Sequence, residues 1–134
     1  MQSWADNAGR CALVVDDDPE VVVMLTTVLR GLRYTVVGAE NAAVALSLIQ
    51  LPEYAFSLIV TDFQMPGRTG VDLIRDVLKI KASPPRMILL TSMELSFAPI
   101  QELKGEVDGR YPVIFASKNT GLRTLLEKFR EIAK

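Results

Sequence analysis

Asp16, Asp17 and Asp18 follow the apolar run Leu13-Val14-Val15, and a single carboxylate, Asp62, follows Leu58-Ile59-Val60-Thr61, with Met65-Pro66-Gly67 turning the chain just beyond it. Two runs of strand length therefore each end abruptly in acid. In an open α/β sheet the carboxyl ends of the strands form the edge where ligands bind. Carboxylates gathered there repel one another unless a cation or proton stands among them. Hard oxygen donors suit a divalent ion such as Mg²⁺, which takes few protein ligands and keeps much of its water. Asp17 and Asp62, with a backbone carbonyl from the Asp62 loop, are the expected donors, and Asp18 reads better as a helix cap before Pro19. Thr91 and Ser92 close a further apolar run, Met87-Ile88-Leu89-Leu90, and Lys118 stands just past Val113–Ala116. A metal, a lysine and a hydroxyl around one unpaired carboxylate suit phosphoryl transfer, which works by positioning and charge stabilisation, with Asp62 as nucleophile.

Composition narrows the chemistry further. The chain has no histidine, so imidazole-based metal sites, Ser-His or Cys-His nucleophiles and a phosphohistidine on this chain are excluded. The lone Cys11 allows neither an intrachain disulfide nor a multi-thiolate metal site. Fifteen basic and sixteen acidic side chains give a formal net charge of −1, which offers no surface for direct nucleic-acid or anionic-membrane binding. No run approaches the length of a membrane span, and a cytoplasmic location is expected. At 134 residues the chain suits one domain, over 11–134, preceded by a small, polar, mobile tail over 1–10 that carries Trp4.

The elements that must position these groups alternate along the chain. Strands are expected over Cys11–Val15, Tyr34–Ala39, Ala55–Thr61, Arg86–Thr91 and Val113–Ala116. Helices are expected from Pro19 to near Gly31 and over Asn41–Gln50, Val71–Lys81 and Thr120–Ile132. The first helix places Val22, Val23, Leu25, Thr26 and Leu29 at core-facing spacing. Pro99, Gly105 and Gly109 interrupt the segment from Ser92 to Arg110, leaving only a short or irregular fourth helix around Ile100–Lys104. Five strands alternating with five helices imply a parallel sheet covered on both faces.

Val14-Val15-Asp16-Asp17, the run from Thr61 through Asp62, Pro66 and Gly67 to Gly70, Leu89-Leu90-Thr91-Ser92, and Lys118 together resemble the receiver domains of two-component response regulators. The resemblance spans Leu13 to Ala133. It implies a flavodoxin-like, CheY-like fold with strand order 2-1-3-4-5. It further implies that Asp62 accepts a phosphoryl group from a histidine kinase or histidine phosphotransfer protein. Mg²⁺ would be held by Asp17 directly, by Asp16 partly through water, by Asp62 and by the backbone carbonyl of Gln64. Thr91 and Lys118 would bind the phosphoryl oxygens, Thr91 and Phe115 would act as the switch, and Gln64 and Met93 would tune dephosphorylation. Output would pass to a downstream protein or effector domain through the face made by the fourth helix, fifth strand and last helix. The chain is then a stand-alone regulator or the receiver of a larger regulator or hybrid kinase, with self-phosphorylation and self-dephosphorylation as its only turnover.

Three departures from the family pattern matter. Asn119 stands after Lys118 where the family has a proline with a cis bond, so a trans bond and a rearranged loop are expected. The segment between Thr91 and Lys118 is a few residues longer than in the family, and the fourth helix is broken up. Two other readings compete. One is a pseudo-receiver that binds proteins without being phosphorylated. The other is a small Mg²⁺-dependent phosphatase, against which Gln64 stands where such enzymes place a second aspartate.

Overall fold

The computed structural model describes residues 10–133; the tail expected over 1–10 lies outside them apart from Arg10. Within the described residues the strands are β1 (Cys11–Val15), β2 (Thr35–Ala39), β3 (Leu58–Thr61), β4 (Arg86–Thr91) and β5 (Val113–Ser117). The helices are α1 (Pro19–Gly31), α2 (Ala42–Ile49), α3 (Gly70–Ile80), α4 (Ala98–Val107) and α5 (Leu122–Ala133). All neighbouring strands pair in parallel, in the order β2-β1-β3-β4-β5, which is the expected flavodoxin-like topology.

The central strands β1, β3 and β4 are nearly unbroken apolar runs because both of their faces are covered, while the edge strands β2 and β5 are more exposed. Alternate residues serve alternate cores. Leu13, Val15, Ile59, Met87 and Leu89 pack with Ala45, Ile49, Ile74, Val77, Ile100 and Leu103 from α2, α3 and α4. Ala12, Val14, Val60, Ile88 and Leu90 pack with Leu25 and Leu29 of α1 and Leu125 and Phe129 of α5.

Local chemistry sets the helix starts. Asp18 caps α1 by accepting from the Glu20 amide at 3.0 Å, with Pro19 in the first turn. Asn41 caps α2 rather than belonging to it, accepting from the Val44 amide at 2.8 Å. At α3 the Thr69 hydroxyl accepts from the Asp72 amide while the Asp72 carboxylate accepts from the Thr69 amide, a reciprocal capping box.

Some expectations shift. β3 begins at Leu58 rather than Ala55, because its partner β1 begins at Cys11 and the ladder opens with the Ala12–Leu58 pair. Tyr54 and Phe56 instead stack their rings 5.2 Å apart outside the sheet. Helix α4 is longer at both ends than Ile100–Lys104: Pro99 lies in its first turn, where its missing N–H costs nothing, and Gly105 is carried inside it. Its start does lack a side-chain cap, since Phe97 occupies that position. Val23 is 65% exposed. It stands about 100° around α1 from Val22, outside the stripe that Leu25 and Leu29 bury. Before α5 the chain makes a 3-10 turn over Lys118–Thr120 and then passes through Gly121 at φ 88°, so the last helix starts at Leu122 rather than Thr120.

Candidate functional site

The site is built at the carboxyl edge of the sheet, where β1, β3, β4 and β5 end. Asp16 leaves β1 with its amide donating to the Ala39 carbonyl (3.1 Å). Its side chain is 2% exposed and both oxygens are engaged, Oδ1 by the Asp18 amide (3.0 Å) and Oδ2 by Lys118 Nζ (2.8 Å). Asp62 leaves β3 with its amide donating to the Val15 carbonyl (2.9 Å), so the two acidic strand ends are tied to each other by the ladder itself. Asp62 Oδ1 accepts from the Phe63 amide (2.9 Å) and lies 3.3 Å from Lys118 Nζ. Asp17 is exposed, and it offers a carboxylate oxygen within 4.8 Å of oxygens from Asp16 and Asp62.

Burial is the largest influence on Asp62, and it pushes the carboxyl above its usual range; the Asp16 charge pushes the same way, against Lys118 and the Phe63 amide. Burial also works against the charged form of Lys118, but its bond to Asp16 and the charge of Asp62 outweigh it and hold the ammonium above the ordinary lysine value. Three hard oxygen donors against a single cation fit a divalent ion of the Mg²⁺ kind. A groove of about 540 Å³, lined by Asp16, Asp17, Val22 and Glu40 among others, opens beside the cluster.

The remaining candidates fall in different places. Thr91 ends β4 fully buried, its hydroxyl accepting from the Met93 amide (3.0 Å), and it pairs in the ladder with Ser117, next to Lys118. Phe115 is half-buried on β5 and packs against the α2–α3–α4 core, as does Met93. Gln64 is exposed in the loop after Asp62. The Lys118–Asn119 bond is trans, as are all peptide bonds among the described residues.

Two residues have positions that sequence reasoning did not draw out. Gly70 is one: a Cβ there would collide with the Asp62 carbonyl oxygen, so only glycine lets α3 start against the backbone of the acidic loop. Phe63, next to Asp62, meets Phe97 at the start of α4 edge-on, with ring centroids 5.7 Å apart. A glycine straight after the capping Thr69 was a signal for the first; nothing local in the sequence marks the second.

A five-stranded 2-1-3-4-5 sheet carrying an acidic cluster and a lysine at its switch-point edge defines the receiver class of signalling domain. The sequence profile of the response regulator receiver domain matches residues 12–111. The chain belongs to that family, the receiver domains of two-component response regulators. Among relatives, the two-component response regulator ARR14 of Arabidopsis thaliana is 28% identical over 85% of this chain and 26% of its own length. Protein PetR of Rhodobacter capsulatus is 34% identical over 83% of this chain and 45% of its own. The chain thus spans less than half the length of either. The response regulator TrrA of Thermotoga maritima, crystallised in complex with Mg²⁺-BeF, superposes with a TM-score of 0.74 at 25% identity, covering 92% of this chain and 98% of its own. No helix among the described residues is long and apolar enough to cross a membrane.

Proposed function

We propose that this chain is the phosphoacceptor of a two-component phosphorelay, modified on Asp62. The observation that carries the reading is the placement of a buried Asp62 oxygen 3.3 Å from Lys118 Nζ and within reach of Asp16 and Asp17. Asp16, Asp17, Asp62 and the Gln64 carbonyl would hold Mg²⁺, which supplies charge neutralisation for an incoming phosphoryl group. Asp62 attacks phosphorus in the donor, a phosphohistidine on a kinase or phosphotransfer partner; the P–N bond breaks and the imidazole leaves. Lys118 exchanges part of its contact with the carboxylates for a phosphoryl oxygen, and Thr91 turns its hydroxyl from the Met93 amide toward another. Phe115 follows Thr91, and Gln64 and Met93 border the path of the water that hydrolyses the acyl phosphate. The α4–β5–α5 face then changes affinity for a downstream protein or effector domain. The shift is limited to the difference in phosphoryl interaction between two states, typically about 1–3 kcal/mol. A cytoplasmic setting follows from such a donor.

Incubation with Mg²⁺ and acetyl phosphate tests this. Intact mass should show one added phosphoryl group that disappears with chelator and in Asp62→Ala. No adduct, together with no binding of beryllofluoride, would refute the reading and leave a receiver that binds proteins unmodified.

A further inference from the structure

The β4–β5 ladder ends at the Thr91–Ser117 pair. Past it the two segments part, one running toward α4 and the other tightening into the Lys118–Thr120 turn. A side chain bridges them beyond the last rung: Asn119 Nδ2 donates to the Ser92 carbonyl at 3.3 Å. The same residue is anchored through its backbone on the β5 side. Its N–H donates to Ser117 Oγ (3.0 Å), and the Thr120 hydroxyl donates to the Ser117 carbonyl (2.9 Å). Asn119 thus holds the end of β5 with its main chain and the loop that follows β4 with its side chain. Its neighbour Lys118 reaches from this turn to Asp16 (2.8 Å) and Asp62 (3.3 Å), and Ser92 directly follows Thr91.

Lysine is a point charge on a flexible four-carbon stem, so the aim of its ammonium depends on the backbone that launches it. That backbone is exposed at Asn119 and Thr120 and continues into Gly121 at φ 88°, so burial does not fix it. We infer that Asn119 is a positioning residue for Lys118: its amide straps the Ser92 loop to the Lys118 turn and thereby sets where the ammonium stands over Asp62. The inference rests on the reading of Asp62 as phosphoacceptor. Loss of the strap leaves every charge in place and loosens only the geometry. Asn119→Ala is expected to slow phosphorylation by acetyl phosphate roughly three- to tenfold, the worth of one modest hydrogen bond.

The experiment uses the full 134-residue chain in four forms: unaltered, Asn119→Ala, Lys118→Met and the double variant. Adduct formation is timed by intact mass. If Asn119 acts through Lys118, the slowing caused by Asn119→Ala vanishes in the Lys118→Met background. The same slowing in both backgrounds, or in neither, overturns the inference. A second readout does not need phosphorylation, nor a folded Lys118→Met. In a lysine-¹⁵N-labelled protein the Lys118 ammonium signal should shift or broaden in Asn119→Ala, and an unchanged signal overturns the inference. Should the unaltered protein take no adduct, the phosphoacceptor reading fails, while the ammonium signal still decides on the strap.

Discussion

Asp62 sits where burial, and then the charge of Asp16, disfavour its ionised form, with Lys118 and the Phe63 amide opposing them. A carboxyl raised in the folded state contributes stability that is present below its unfolded pKa, about 3.9, and lost as pH rises through the folded value. At neutral pH without metal the ionised group therefore costs stability. Asp62→Asn keeps the shape and removes the charge, and Asp16 remains as a partner for Lys118 at 2.8 Å. The variant should melt higher than the unaltered protein at pH 7 in chelator, with the gain shrinking toward pH 4. A variant that melts lower at pH 7 would contradict this account of the site.

At the scale of elements, α3 carries the clearest local design. The Thr69 amide, foremost, holds the Asp72 carboxyl below the usual range. A depressed carboxyl contributes stability present above its unfolded pKa and lost as pH falls through the folded value. Thr69→Ala should cost about 1 kcal/mol in chemical denaturation at pH 7. Asp72→Ala should likewise destabilise at pH 7, and its penalty should shrink as the pH drops below about 4. A penalty independent of pH would mean that the charge of Asp72 is not what matters. Much of this level was legible in the sequence. Strands buried on both faces must be unbroken apolar runs, and such runs stop where polar groups return to the edge, as at Asp16, Asp62 and Thr91. What escaped depends on partners distant in the chain. Ala55 and Phe56 look like strand residues, yet β1 has no residue in the sheet to pair with them. Pro99 reads as an interruption, whereas a proline in the first turn is compatible with the ten-residue α4. The convergence of Asp16, Asp17, Asp62 and Lys118 was foreseeable from the strand ends together with the strand order that the family resemblance implied. The contact of Lys118 with both carboxylates and the Asn119 bridge were not, because each depends on how closely two loops approach.

For the molecule as a whole, metal should be a stabiliser by mass action. Three carboxylate oxygens within 4.8 Å of one another are a repulsive feature that a bound cation converts into an attractive one. Mg²⁺ at a hundred times its dissociation constant should add about 2.7 kcal/mol. Raising Mg²⁺ should therefore raise Tm in the unaltered protein and much less in Asp17→Asn, the variant at the one exposed carboxylate of the three. Equal responses in the two would remove Asp17 from the donor set.

The sheet also divides the interior, since Ile74 belongs to the core under α2, α3 and α4 while Ile88 belongs to the core under α1 and α5. Ile74 and Ile88 thus have no cluster of buried side chains in common. Ile74→Val and Ile88→Val should each cost about 0.5–1.5 kcal/mol. The double variant should lose their sum to within about 0.5 kcal/mol, so that urea titrations of the four proteins close as a parallelogram. Sequence drift in this fold is then tolerated compartment by compartment, with a weakened chamber on one side leaving the repair or loss of the other to its own account.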